Sequence, residues 1–508
     1  AANISIGSGT LDVTAGGDVT GDVEFTDAGT LDLGGKKLDG AVNFDGKAAT
    51  LVINAGEVTG GVDSSTSSGG IIEINGNATI GGAIGVSNAI SLIDVNSGTL
   101  TTSSTTKATN ITIDAATFAA GGDVTGDIAF TGDGTLNLGA QTLDGAVDFA
   151  GKAAKLVING GQVTGSVDSS SSSGGTIDVD GAVTIGGAIG STKAISALNV
   201  NSGTLTTNST TNATNITIAA ASFAVGGNVT GAVSFTGAGT LDLADKILTG
   251  AVDFAGHAAT LVINGGEVTG SVDSTSSSGG IVEIDGAVTI GGSIGGNNPV
   301  SLIRMKETAE FTAQNNISAL GMLYSGLGKL NLGSNSFTGA IDFGGFNGEV
   351  NLGHGSVITG EVGGLISARL DIINAAGLAS NEGNIINSRN KVSSIPNISA
   401  ELQTAITSAA ASANTPAEVE EAALSFLSKK GTINLSGGDS ALGTAHTSLI
   451  TGDVGINGSL ALIKLGNLAA LGKSELTIDG NVSTDSIKFT DEHSKLILAD
   501  SKTLRIGD

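Results

Sequence analysis

An all-β fold is what this sequence predicts: a parallel β-helix (β-solenoid) with one small α-helical hairpin insertion. Three observations point there. A block of text recurs at constant spacing, short runs inside it alternate apolar and polar residues, and Gly, Asn and Asp separate the runs. Composition agrees. The 508 residues include 81 glycines, 3 prolines, no tryptophan and no cysteine, and 40% are hydrophobic. Ser, Thr, Asn, Gly, Val, Ile and Leu suit short strands joined by tight turns. That apolar content is too high for a disordered acidic tail.

The large period comes first. "LVINAGEVTGGVDSS" begins at Leu51, "LVINGGQVTGSVDSS" at Leu156 and "LVINGGEVTGSVDST" at Leu261. "GGDVTG" stands at Gly16 and Gly121, and "GGNVTG" at Gly226, so each step is 105 residues. A fixed period over three copies marks a repeat architecture.

A smaller period lies inside it. "TLNLG" starts at Thr135, "KLVIN" at Lys155, "TIDVD" at Thr176, "ALNVN" at Ala197, "NITIA" at Asn215 and "TLDLA" at Thr240. These starts predict five coils per repeat, of about 21 residues each, the length of a β-helix coil. Within them Leu156, Ile158, Ile177, Val179, Leu198, Val200, Ile216 and Ile218 alternate with polar residues, the period of a strand buried on one side. A second strip is expected to stack Val147, Val167, Ile189 and Val233. One coil cannot bury its apolar strip alone, so coils stack at roughly 4.8 Å and share a core.

The turns fit. Asn159-Gly160, Asp180-Gly181 and Asn201-Ser202 recur 21 residues apart, where the coil must bend. Such residues tolerate left-handed backbone. Asn159, Asp180 and Asn201 are accordingly expected to form a ladder of hydrogen-bonded side chains.

The domain reading follows. Residues 1–328 form the solenoid with its three repeats of five coils each, degrading after about Gly295. "FTGAIDFGG" at Phe337 matches "LTGAVDFAG" at Leu248, a step of 89 residues, 16 short of the period. A coil is therefore expected to be lost or remodelled near Arg304, Met305, Lys306 and Tyr324. Residues 329–395 continue the solenoid irregularly. Residues 396–430 predict a helical hairpin. Leu402, Ile406 and Ala410 recur at helical spacing. Thr415 is an N-cap with Pro416 and Glu418 in their preferred slots, and Gly431 is the stop. Residues 431–508 return to coils.

Charge and chemistry narrow the function. Twenty-two Lys and Arg against 48 Asp and Glu give a net charge of −26. Phosphate binding needs basic patches, so nucleic acid is not an expected partner. No apolar run reaches membrane-helix length, so this segment is not expected to insert into a bilayer. The absence of cysteine removes disulfides and thiolate metal sites. The opening Ala1-Ala2-Asn3 is read as a chain whose signal peptide has been removed on export. Histidines stand singly at 257, 354, 446 and 493, which disfavours zinc. Asp63, Asp168 and Asp273 are repeat equivalents. Five coils apart they would lie about 24 Å from one another, too far to share a substrate atom. Glu57 and Glu267 correspond to Gln162, so no carboxylate is retained there in every copy. No cofactor is expected. Calcium is the one ion left open, with Asp178 and Asp180 of "TIDVDG" and Glu283 and Asp285 of "IVEIDG" as candidate ligands, although neither the nonapeptide of calcium solenoids nor EF-hand spacing is present.

"NATIGGAIG" at Asn77, "GAVDFAGKAAKLVING" at Gly145 and "FTGAIDFGGFNGEVNLGHGSVITGEV" at Phe337 resemble passenger domains of bacterial autotransporters. The nearest in flavour are the rickettsial surface cell antigens, outer membrane protein B among them. The resemblance implies an exported β-solenoid at the outer surface that builds a surface layer and helps adhesion to host cells. The expected function is therefore a non-enzymatic, rod-like structural protein of the cell exterior. It would self-associate into a layer or filament through solenoid ends or flank. An adhesin for a host-cell receptor or glycan is the alternative, and a polysaccharide-degrading β-helix enzyme the remote one.

Overall fold

A computed structural model describes residues 3–307, 309–344, 346–363, 431–435, 446–455, 460–466, 474–490 and 494–507. Two compact units divide the chain, Ala1–Asp242 and Leu243–Asp508. Among the described residues there is no helix, and the ladders are parallel throughout. The fold is the predicted parallel β-solenoid.

In the first unit each strand segment pairs with the third segment after it, counting single-residue bridges such as Ile84 and Ile189 and the two halves of bent strands such as Thr106–Ile113 and Thr211–Ile218, so one coil holds three segments. The columns of inward side chains can be followed by register. Leu156 pairs with Ile177 and Ile177 with Leu198; Leu198 then pairs with Ile216. All four are fully buried. Their outward neighbours Val157, Asp178, Asn199 and Thr217 run alongside in step. Alternation thus follows the sequence reading residue by residue. Each such side chain removed from water contributes about 1.5–3 kcal/mol, and no coil could gather that contribution without its neighbours.

The coil count corrects the sequence reading. Ile216 pairs next with Val233, whereas Leu241 pairs with Phe223 in another column. The long final step of the small period therefore joins two faces. Likewise Val147, Val167 and Ile189 stack, but Thr211 follows them instead of Val233. From Leu38 to its equivalent Leu143 there are sixteen strand segments, one more than five coils of three. A coil averages about 20 residues, and one repeat is five coils and one further strand.

That remainder moves each repeat to the next face. Val19 stands in the column of Leu38 and Val58. Its equivalent Val124 belongs to the column running through Val23, Val42, Val62, Ile84 and Thr106. Asp63 and Asp168 consequently lie on different faces, not one above the other. Register survives the shift because the strands brought together still offer small or medium apolar residues, or at Thr106 and Thr211 a buried threonine, on their inner side.

Phenylalanines fill the corners. Phe25 stacks on Phe44 at 5.3 Å and Phe130 on Phe149 at 5.4 Å. Room for each second ring comes from a glycine one coil on. Gly175 has φ +75°, and a Cβ there would lie 2.1 Å from the Phe149 ring. The "DS" that follows each valine clips the adjoining loop. Buried Ser169 donates to Ser172 O at 2.6 Å and accepts from Gly151 N at 2.9 Å. Ser64 and Ser274 repeat the arrangement.

The second unit has the same three-strand coil. One column runs Val252, Val272, Ile294, Ile317, Phe337, Ile358, Ile450 and Ile478. Between Leu248 and Phe337 there are thirteen strand segments in place of sixteen. One coil of three strands has gone, as the 16-residue shortfall suggests. Tyr324 is fully buried there, 4.9 Å from Phe343, and its hydroxyl donates to Glu349 O at 3.0 Å. The strand Glu349–Leu352 pairs directly with Thr432–Leu435. The hairpin expected at 396–430 lies outside the described residues.

Candidate functional surface

Inward positions are committed to the core, so chemistry must come from outward rows and loops. The candidate calcium ligands are engaged by other groups. Asp178 forms an ion pair with Lys155 and accepts Asn199 Nδ2 at 2.8 Å. Its repeat equivalent Glu283 pairs with Arg304 and, at 2.9 Å, with Lys306. A carboxylate already facing one or two cations is a poor site for another. Asp180 accepts Ser202 Oγ at 3.3 Å, and Asp285 accepts Gly286 N at 2.9 Å. Among the described residues no three His, Asp or Glu gather closely enough to hold a metal.

Of the expected turn ladder, Asn201 reaches Asp180 at a long 3.5 Å. No side-chain bond joins Asp180 to Asn159 among the described residues. An amide donates and accepts, but a carboxylate only accepts, so an acid interrupts the chain of rungs. Where the rungs are amides the ladder closes. Asn75 donates to Asn54 at 3.1 Å. In the second unit Asn351 donates to Asn331 at 2.8 Å, and Asn434 to Asn351 at 3.2 Å.

The repeated aspartates are loop clamps. Burial pushes the Asp168 carboxyl up, but hydrogen bonds outweigh it and hold it below the ordinary carboxylate range. The donors are Thr192 Oγ1 at 2.6 Å, Ser191 Oγ at 2.8 Å, and the Thr192 and Ser169 amides. Asp63 is held the same way, with Ser87 Oγ at 2.6 Å. Asp342 differs. Burial raises its pKa to about 6, against one hydrogen bond from Gly344 N at 2.7 Å. Its equivalents Asp148 and Asp253 also receive a hydroxyl from Ser170 and Thr275. Of the single histidines, His354 Nδ1 accepts Thr447 N at 3.1 Å. His257 holds a turn through its backbone, and His493 lies outside the described residues.

Sequence reasoning missed one concavity among the described residues. It is an open groove of about 580 Å³ on the first repeat. Two outward rows line it, Asp22, Ala41, Gly61 and Ala83 in one, Glu24, Asn43 and Asp63 in the other, with Ser65 and Val86 at the rim. Backbone bonds from Val23 to Ala41, Val42 to Gly61 and Val62 to Ala83 hold the first row in register. Comparing copies supplies the signal. Glu24, Gly61 and Val86 correspond to Ala129, Ser166 and Ser191.

The sequence of this chain has a counterpart among known proteins. Outer membrane protein A of Rickettsia rickettsii is 28% identical over 565 aligned residues, covering 95% of this chain. This chain is similar to a rickettsial outer membrane protein. The expected likeness to rickettsial surface antigens is borne out, through protein A instead of B, and a β-solenoid fits a passenger domain. The chain spans 23% of that relative's length. No family model matches it, and no solved structure does.

Proposed function

We propose that this chain is a non-enzymatic structural segment of the bacterial cell exterior, exported and displayed at the outer surface, where it associates with copies of itself. The observation that carries this reading is the three-strand ladder. It spends nearly every apolar side chain on stacking and spreads equivalent polar residues over different faces, so repeated groups do not converge on one reacting atom. The outer-membrane name of the relative supports the location. A net charge of −26 keeps such a surface solvated and limits indiscriminate sticking. In this reading association does not depend on calcium; the ion pairs of Asp178 and Glu283 support that. Electron microscopy of the purified chain, with and without chelator, tests this. Regular arrays that survive chelation are expected; dispersed particles at every concentration count against self-association.

A second reading, adhesion to a host-cell component, is favoured by one observation: the groove of the first repeat. Binding of the purified chain to cultured host cells tests it, and absence of binding sets it aside.

A further inference from the structure

We propose that the groove of the first repeat is a docking site for an extended, lysine- or arginine-bearing polypeptide segment. This rests on the adhesin reading and deepens it. The floor is a row of small residues, Ala41, Gly61 and Ala83, stacked coil on coil. With Asp22 at one end, four such positions span about 15–20 Å at 4.8 Å per coil, room for five or six residues of extended chain at about 3.3 Å each. The walls supply charge. Glu24 is exposed and makes no ion pair among the described residues. Asp22 bonds Ala41 N through one oxygen, at 2.8 Å. Asp63 is held in its charged form by the serine clamp. A cationic head fits between these acids. Its aliphatic stem fits Val86, which is 68% exposed, the highest value among the large hydrophobic residues described.

The second repeat shows what removes the site. Ser166 replaces Gly61 and raises the floor, Ala129 replaces Glu24 and deletes a charge, and Ser191 replaces Val86 and bonds to Asp168. Because its strip also lies on another face, the two cannot combine into one longer groove. The expected stoichiometry is one peptide per chain.

The probe is a labelled lysine hexapeptide titrated against the whole chain at low salt, read by fluorescence anisotropy. Glu24→Gln should weaken binding about threefold to fivefold, as for a rim charge. Combining Glu24→Ala, Gly61→Ser and Val86→Ser, the second repeat's own residues, should weaken it about tenfold or more. Because a Cβ at Gly61 would lie 2.8 Å from Ala83 O, the variant's circular dichroism is checked against the parent, and Glu24→Ala with Val86→Ser alone should still weaken binding more than Glu24→Gln. Glu267→Gln, outside the groove and matching Gln162, should leave it unchanged. Equal losses from Glu24→Gln and Glu267→Gln would show general attraction to an acidic surface and overturn the site. Preference for a neutral oligosaccharide over the peptide overturns it too. If host cells still adhere to the triple variant, the groove is rejected while the adhesin reading stands.

Discussion

Replacing Gly175 by alanine tests how tightly the corners are packed. Two costs combine. At φ +75° an L side chain is strained, by about 1–2 kcal/mol. The added Cβ also lands 2.1 Å from Phe149 Cγ, and that ring is wholly buried and stacked on Phe130. Forcing a methyl into a filled core costs about 1–3 kcal/mol more. The sum is about 2–5 kcal/mol. Gly139→Ala is the internal comparison. Its φ is +57°, but nothing lies within 4 Å of the place a methyl would take, so only the backbone cost of about 1–2 kcal/mol remains. Guanidinium unfolding followed by far-ultraviolet circular dichroism measures both. Should the two variants unfold at the same midpoint, the Phe149 corner has slack and the packing account fails.

Three further outcomes are expected. Thr211 is 1% exposed and its hydroxyl has no partner, while Ile317 occupies the matching place in the second unit. Thr211→Val should therefore stabilise by about 1–2 kcal/mol in the same assay, and a loss of stability would reveal a partner for the hydroxyl. Asp342 has a folded pKa of about 6, above the ordinary aspartate value of 3.8. Its contribution is full below the unfolded pKa and is lost as pH rises through 6. Asp342→Asn should therefore gain about 2 kcal/mol on the parent between pH 4 and pH 7, and parallel stability curves would refute this. Deleting residues 121–225 joins equivalent sequences and should leave the circular dichroism per residue unchanged; a fall in strand signal would show that strands are not interchangeable.

How much of this is legible in the sequence depends on range. Alternation at Leu156–Ile158 and Ile177–Val179 is a local signal, and the structure follows it. Loss of a coil near Arg304 is legible too, because a shortfall in length is visible without coordinates. The third strand of each coil is not. Segments such as Val147–Asp148 are two residues long, too short to show a period, so the small period on its own merges faces at Leu241. The groove escapes for a related reason. Glu24, Gly61 and Val86 are unremarkable singly, and only the register of stacked coils sets them side by side.

Sixteen leaves a remainder of one when divided by three, and that has a consequence for how such a chain changes over generations. Adding or dropping one block keeps every hydrogen-bonded rung available, so the stack tolerates it. Yet everything beyond the joint is then aimed a third of a turn away from where it pointed before. Two descendants differing by a single block would meet the same neighbour with different sides, and only a change of three blocks would restore the original outlook.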